Sequence, residues 1–165
     1  DIIGLDFAMV LDGYHGDTAF TFPVGPISSE AQRLLEVTKA SVFKAIDAAK
    51  PGNRLGDIGH AVQKYAESHG YSVVRDLCGH GIGRSLWEEP QVPNYGKQGR
   101  GTRLNPGMVI AIEPMICVGA HEVMVLEDEW TTVTADGGLA AHFEHTIAIL
   151  SDGPEILTVN PELWG

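Results

Sequence analysis

Four carboxylates and one imidazole stand out in this 165-residue chain by position: Asp6, Asp17, His80, Glu113 and Glu144. Asp6 and Asp17 flank Asp12-Gly13, the dipeptide that a two-residue type I′ turn prefers, with β-forming residues on either side, Ile2 to Leu11 and Tyr14 to Phe22. If Asp12 and Gly13 are the turn residues, Asp17 pairs with Ala8. Asp6 shares a face with Ala8 because side chains alternate along a strand. The two aspartates are then diagonal neighbours, roughly 5–8 Å apart. Like charges that close repel unless a cation sits between them. Two surface aspartates near a turn fit the same spacing, although Phe7, Met9, Ala19 and Phe20 make a fully solvated hairpin uncomfortable. A bulge at His15-Gly16 would break the register.

His80 lies in Cys78-Gly79-His80-Gly81-Ile82-Gly83, where glycines on both sides let backbone approach a ligand and leave the imidazole unshielded. Taken alone it reads equally as an ordinary loop histidine. Glu113 ends the apolar run Met108-Val109-Ile110-Ala111-Ile112 and is followed by Pro114-Met115. Glu144 repeats the situation in Phe143-Glu144-His145-Thr146-Ile147. An unpaired ion buried at either place costs several kcal/mol. The plain alternative is an edge strand with one charge facing water. Together the four acids carry four negative charges, which two divalent cations neutralise. Oxygen ligands with one imidazole suit Mn, Fe, Co or Zn. Two such ions about 3.5–4 Å apart polarise a carbonyl and activate water for hydrolysis.

The elements that must position these groups follow from periodicity. After the hairpin, Pro23 and Gly25-Pro26 punctuate, and Ser29-Glu30-Ala31-Gln32 has the form of a capping box. A helix is predicted from there to about Ala49, with Leu34, Leu35, Val42, Phe43 and Ile46 as its apolar stripe. A second is predicted from Leu55 to Ser68, carrying Leu55, Ile58, Val62 and Tyr65. Tyr71 to Leu77 reads as a strand. Gly79 to Pro106 contains six glycines and three prolines and reads as a long functional loop. Met108 to Val118, Glu122 to Leu126, Glu129 to Thr134, Ala141 to Leu150 and Glu155 to Val159 read as further strands. The expected class is α+β, helices packed on a largely antiparallel sheet.

Composition narrows the function. Hydrophobic residues make up 44% and charged residues 20%, an ordinary globular balance that excludes a disordered tail or a coiled coil. The net charge of −11 opposes a phosphate-backbone partner, so nucleic acid is not expected. No apolar run reaches the length of a membrane span, and no signal-peptide pattern opens the chain. Cys78 and Cys117 lack CxxC spacing, which argues against a thiolate zinc site or a disulfide scaffold and makes a reduced cytoplasmic setting the default. The chain begins at Asp1, directly in a strand-like run, as a trimmed chain or a piece of a longer one would.

In five stretches the sequence resembles the methionine aminopeptidases, which have the pita-bread fold shared with prolidases and creatinases. These are Asp6 through Asp17 with its Asp12-Gly13-Tyr14-His15-Gly16-Asp17 ending, Cys78-Gly79-His80-Gly81-Ile82-Gly83-Arg84, Glu88-Glu89-Pro90-Gln91-Val92, Ile112-Glu113-Pro114-Met115 and Phe143-Glu144-His145-Thr146-Ile147. They occur in the family's order and cover nearly the whole chain. The resemblance implies a pita-bread domain over residues 1–165, with a mainly antiparallel curved sheet and helices on one face. Residues 1–25 would be the last hairpin of the first half and 26–165 the second half, so most of the first half would be missing. It implies that Asp6, Asp17, His80, Glu113 and Glu144 are the ligands of a two-metal centre, that Glu113 and His80 are catalytic, and that Glu113 doubles as general base on the bridging water. The reaction implied is removal of the initiator methionine from the N-terminus of a nascent chain. Glu113-Pro114-Met115, the uninterrupted segment between His80 and Glu113, and His15-Gly16-Asp17-Thr18 are similar to the type I enzymes. Leu86 and Trp130 correspond to positions that line the methionine pocket.

Trp87 departs from the family, which carries a substrate-contacting histidine just before Glu-Glu-Pro. Indole donates one hydrogen bond and accepts none, so it does not replace an imidazole at a peptide group. Two other readings stay open for that reason: a related metallopeptidase of altered specificity, and a non-catalytic pita-bread module that holds peptides. A half-fold of this kind would expose the sheet face that its partner covers, leaving a monomer with an apolar patch or a chain that self-associates through it.

Overall fold

Asp12 (φ 52°) and Gly13 (φ 80°) close the two-residue turn between strands β1 (Ile2–Leu11) and β2 (Tyr14–Pro23). These are the left-handed angles that a type I′ turn requires. The register is unbroken at His15-Gly16 and sets Asp17 opposite Ala8 and Asp6 opposite Ala19, as the sequence predicts. This computed structural model describes residues 1–164. Along β1 the alternation sorts Ile3, Leu5, Phe7, Met9 and Leu11 onto one face, all exposed, with Leu11 at 75%. Asp6 and Ala8 lie on the other face, toward the acidic cluster.

Helix α1 (Ser29–Ala48) buries Leu34, Leu35, Val42 and Ile46 of its predicted stripe, and helix α2 (Leu55–Ser68) buries Leu55, Ile58 and Val62. Ser28, not Ser29, caps α1: its Oγ accepts from the Ala31 N–H at 3.1 Å. The predicted capping box is thus displaced by one residue, because the hydroxyl that reaches the third backbone amide is the one that caps. Both helices join one core with Ile110, Ile112, Ile116, Phe143, Ile147 and Ile149. Each of these side chains contributes about 1.5–3 kcal/mol by leaving water, so the platform beneath the site is firm. No helix among the described residues is long and apolar enough to cross a membrane.

The remaining strands are β3 (Ser72–Val73), β4 (Gly79–Gly81), β5 (Glu88–Val92), β6 (Val109–Ile112), β7 (Met115–Cys117), β8 (Val123–Val125), β9 (Thr132–Thr134), β10 (Ala140–His142), β11 (His145–Leu150) and β12 (Gly153–Ile156). A five-stranded sheet runs β12-β11-β6-β4-β5 and a three-stranded sheet β10-β7-β3, every pairing antiparallel. Several expectations need correction. The strand predicted over Tyr71–Leu77 shortens to two residues. The loop predicted over Gly79–Pro106 contains β4 and β5. The runs Met108–Val118 and Ala141–Leu150 are each broken in the middle, at Glu113-Pro114 and at Phe143-Glu144. The last strand begins at Gly153 and ends before Leu157. A short helix α3 (Pro161–Trp164), which no periodicity announced, packs Trp164 against Phe20, Phe43, Phe143 and His145.

The two interruptions are one feature. Ile112 pairs with His145 in one sheet and Met115 with His142 in the other. Two residues on each side fill the gap, so Glu113 stands opposite Glu144 and Pro114 opposite Phe143. The Phe143 N–H still donates to the Pro114 carbonyl, at 3.4 Å. Proline supplies no N–H, which is where a ladder parts most cheaply.

Candidate metal centre

The break in the ladder turns two glutamates toward each other, and the hairpin delivers the aspartates to the same place. Strand β2 lies along residues 142–146 and is held there by two threonines. Thr146 Oγ1 accepts from the Asp17 N–H (3.0 Å) and donates to the Asp17 carbonyl (2.7 Å). Thr21 Oγ1 accepts from the His142 N–H (3.0 Å) and donates to the His142 carbonyl (2.7 Å). Between them the Glu144 N–H donates to the Ala19 carbonyl (2.9 Å), and Thr18 Oγ1 donates to the Glu144 carbonyl. Asp17 and Glu144 are therefore placed by backbone, not by their own side chains.

His80 comes from β4, which is threaded between β5 and β6. A Cβ on Gly79 would stand 2.3 Å from the Ala111 carbonyl oxygen, and one on Gly81 would stand 2.2 Å from that of Glu89. The glycines beside His80 admit neighbouring strands rather than a ligand, and the imidazole is shielded, not loose in a loop. Its Nδ1 pairs with the Gly81 carbonyl at 2.9 Å. A carbonyl only accepts, so the proton is on Nδ1 and the Nε2 lone pair points inward. There it lies 3.7 Å from Asp17 Oδ2 and 3.6 Å from Glu113 Oε1. Three acceptors facing one another want a cation.

Among the described residues no lysine or arginine pairs with them. One ligand atom each from Asp17, His80 and Glu144 lies within 4.8 Å of the other two. Asp17 Oδ1 and Glu144 Oε1 are buried with no hydrogen-bond partner among the described residues. Glu144 is 2% exposed, which removes the water-facing edge-strand reading for it. Burial, then the neighbouring charges of Glu113, Asp17 and Asp6, push its carboxyl up to about 10. Burial and the Asp17 and Asp6 charges raise Glu113 to about 8. Burial and Asp6 raise Asp17 to about 6, against the lowering pull of His80. Buried, unpartnered, like-charged oxygens around an inward lone pair are the donor set of a hard or borderline cation, and the residues fit one.

These shifts have a measurable sign. In the ion-free protein the three carboxyls keep protons that the unfolded chain has lost. Stability therefore falls as pH rises above the ordinary carboxylate range, and the loss continues through about 6, 8 and 10. Chelator-treated protein is expected to melt at least about 5 °C lower at pH 8 than at pH 5.5, given roughly 2–4 °C per kcal/mol at this size. Saturating Mn²⁺ removes that slope, because a bound cation displaces the protons. Melting curves of the chelated protein that are flat across this range contradict the charge arrangement.

A cavity of about 460 Å³ is lined by all eight residues singled out in the sequence, Asp6, Asp17, His80, Leu86, Trp87, Glu113, Trp130 and Glu144, together with Ala8. A second cavity of about 880 Å³ shares Asp6, His80, Trp87, Glu113 and Trp130 with it and adds Cys78, Met115 and His142 among others. Trp87 and Trp130 stand in the open, at 70% and 83% exposed. Trp130 sits in the turn before β9, outside the strand predicted for it. Four contributors escaped the sequence reading: Thr21, Thr146, Asn94 and His142. Asn94 Nδ2 donates to the Glu113 carbonyl at 3.0 Å and holds the break open. Thr146 and His142 each lie two residues from Glu144, and strand period two could have pointed to the latter's shared face.

Residues 1–151 match the model of Metallopeptidase family M24. The chain is similar to the methionine aminopeptidase of Clostridium acetobutylicum, 57% identical over 159 residues, covering 96% of this chain and 64% of that protein. It is 54% identical to methionine aminopeptidase 1 of Bacillus subtilis over 158 residues, with the same coverages. The chain thus spans 64% of the length of these curated relatives. Among solved structures, a methionine aminopeptidase from Thermotoga maritima superposes with a TM-score of 0.95 at 49% identity, over 97% of this chain and 64% of that one. The prolidase of Pyrococcus furiosus shares the fold, with a TM-score of 0.75 at 24% identity over 97% of this chain and 42% of that one. The α+β pita-bread class expected from the sequence is the class of these neighbours.

Proposed function

Because the chain belongs to metallopeptidase family M24, we propose that its acidic pocket binds two divalent cations, Co, Mn, Fe or Zn, and serves metal-assisted removal of an N-terminal methionine from nascent chains in the cytoplasm. The observation that carries this reading is the set of buried, unpartnered carboxylate oxygens gathered around His80 Nε2. Asp6, Asp17, His80, Glu113 and Glu144 would hold the ions, whose four negative charges two dications balance. When bound, such ions supply Lewis-acid polarisation of a peptide carbonyl and a lowered pKa for water.

The chain's own groups do the rest. His80 donates at Nδ1 to the Gly81 carbonyl, which keeps Nε2 free as a donor of electrons. Glu113 presents Oε1 toward His80, leaving Oε2 as the oxygen that takes the proton of the attacking water. Leu86 and Trp130 form apolar wall beside the acids and receive the methionine side chain, while Trp87 lies beside the peptide group. Trp87 supplies a donor and bulk where the resembling enzymes have an imidazole, and this favours the second reading, a peptide-holding module without turnover.

Metal content measured together with methionine release from a Met-Ala-Ser peptide separates the readings. The proposal expects bound Mn²⁺ or Co²⁺, release that depends on it, and complete loss with chelator. A chain that binds no divalent ion ends the proposal. Stoichiometric ion with no release leaves the holding module as the reading.

A further inference from the structure

We propose that His142 is a positioning residue for Glu113: its Nε2–H holds Glu113 Oε2 and so keeps Oε1 turned toward His80 and the cation. This rests on the metal-centre reading above and goes beyond it, because nothing in the resemblance gives an imidazole at this position a role. Glu113 lies between two imidazoles, one at each oxygen. Oε1 is 3.6 Å from His80 Nε2 and Oε2 is 3.6 Å from His142 Nε2. The two contacts differ in kind. His80 has spent its proton on the Gly81 carbonyl, so it meets Oε1 with a lone pair. His142 Nε2 is buried with no hydrogen-bond partner among the described residues. A neutral imidazole with its proton on Nε2 turns that orphan into a donor aimed at Oε2, after a closure of roughly half an ångström.

The backbone places the ring deliberately. His142 pairs with Met115 across β10 and β7, two positions along from the facing glutamates, so it lies diagonal to Glu113 on the face that carries Glu144. Its N–H and carbonyl are both fastened to Thr21 Oγ1. A carboxylate is free to spin about its last bond, and among the described residues no other side chain donates to the Glu113 carboxylate, Asn94 being spent on its backbone carbonyl. Carboxylates that hold metals are commonly aimed by such an outer hydrogen bond, and losing it weakens the metal about 10–100-fold. Oε2 keeps a second lone pair, so the donor from His142 does not block its use as a proton acceptor.

The test is Mn²⁺ calorimetry on the chain and on His142→Leu, His142→Gln and Glu113→Gln, each checked for a cooperative melt. Leucine fills the space without a donor, while glutamine restores an N–H. His142→Leu is expected to weaken Mn²⁺ about 10–100-fold, with glutamine recovering to within about threefold of the parent. In the Glu113→Gln background the leucine change is expected to cost less than about threefold, since its partner is already altered. Equal affinities for the parent and His142→Leu overturn the inference, as does an equal loss in both variants or in both backgrounds. If leucine does not fold, the glutamine variant and the melting of Thr21→Val, which frees the His142 backbone, decide it: unchanged Mn²⁺ affinity in Thr21→Val overturns it. A parent that binds no Mn²⁺ overturns the metal centre itself, a different result from one in which only the His142 variants match the parent.

Discussion

Glu144→Gln is expected to stabilise the ion-free chain at pH 7.5 by on the order of 2–4 kcal/mol while lowering Mn²⁺ affinity at least about 100-fold. The two halves of the result share one cause. Glu144 is 2% exposed, one of its oxygens has no partner, and Glu113 stands across from it. Holding a proton on a carboxyl costs about 1.4 kcal/mol for each pH unit above its solution value. With the group pushed up to about 10, the fold bears that cost over roughly three units at pH 7.5. Glutamine has the same shape and no charge, and its amide N–H donates to the neighbouring carboxylates. The same substitution removes one of the four charges that would balance two dications, and an innermost ligand matters more than the outer contacts worth 10–100-fold. Urea melts with chelator and calorimetry with Mn²⁺ read the two effects. An ion-free variant no more stable than the parent, or an unchanged affinity, overturns the account of the break.

Glu113→Gln separates holding an ion from moving a proton. The amide oxygen still meets a cation on the His80 side but carries no charge, so Mn²⁺ affinity is expected to fall about 100-fold, as for any ligand changed in this way, and turnover is compared at saturating Mn²⁺. The amide takes no proton, and general-base contributions are typically 10²–10⁴-fold, so methionine release from Met-Ala-Ser is expected to drop about 10³-fold. Retention of more than about a tenth of the parent rate removes Glu113 from the base role. A loss of ion binding as large as the loss of turnover makes Glu113 a ligand alone and moves the base elsewhere.

Much of this was written in short patterns. The Asp12-Gly13 turn fixes the whole register of β1 and β2, so the diagonal relation of Asp6 and Asp17 is legible from one dipeptide. The helices follow from their apolar stripes. What periodicity cannot show is a strand that stops for the sake of its side chains. Val109–Ile112 and Met115–Cys117 read as one run because every flanking residue is a good strand former. Only the pairing with residues 140–150 shows that Glu113 and Glu144 fill a shared gap. β4 was hidden for the opposite reason: its glycines argue against a strand until Ala111 and Glu89 crowd them from either side. Thr21, Thr146 and Asn94 act through backbone groups far along the chain, and no local pattern marks such work. Trp87 and Trp130 line the cavity that also holds the acids.

The threonine fastenings join residues 17 and 21 to residues 146 and 142, contacts that close over more than 120 positions of chain. Contacts of such sequence separation form late, after nearer ones have lowered the entropy of closing the loop. Any species in which the hairpin has not yet docked holds Asp17 apart from Glu144, and has no place for an ion at all. Mn²⁺ uptake during refolding will then lag behind recovery of helical signal, so its arrival times the final docking step.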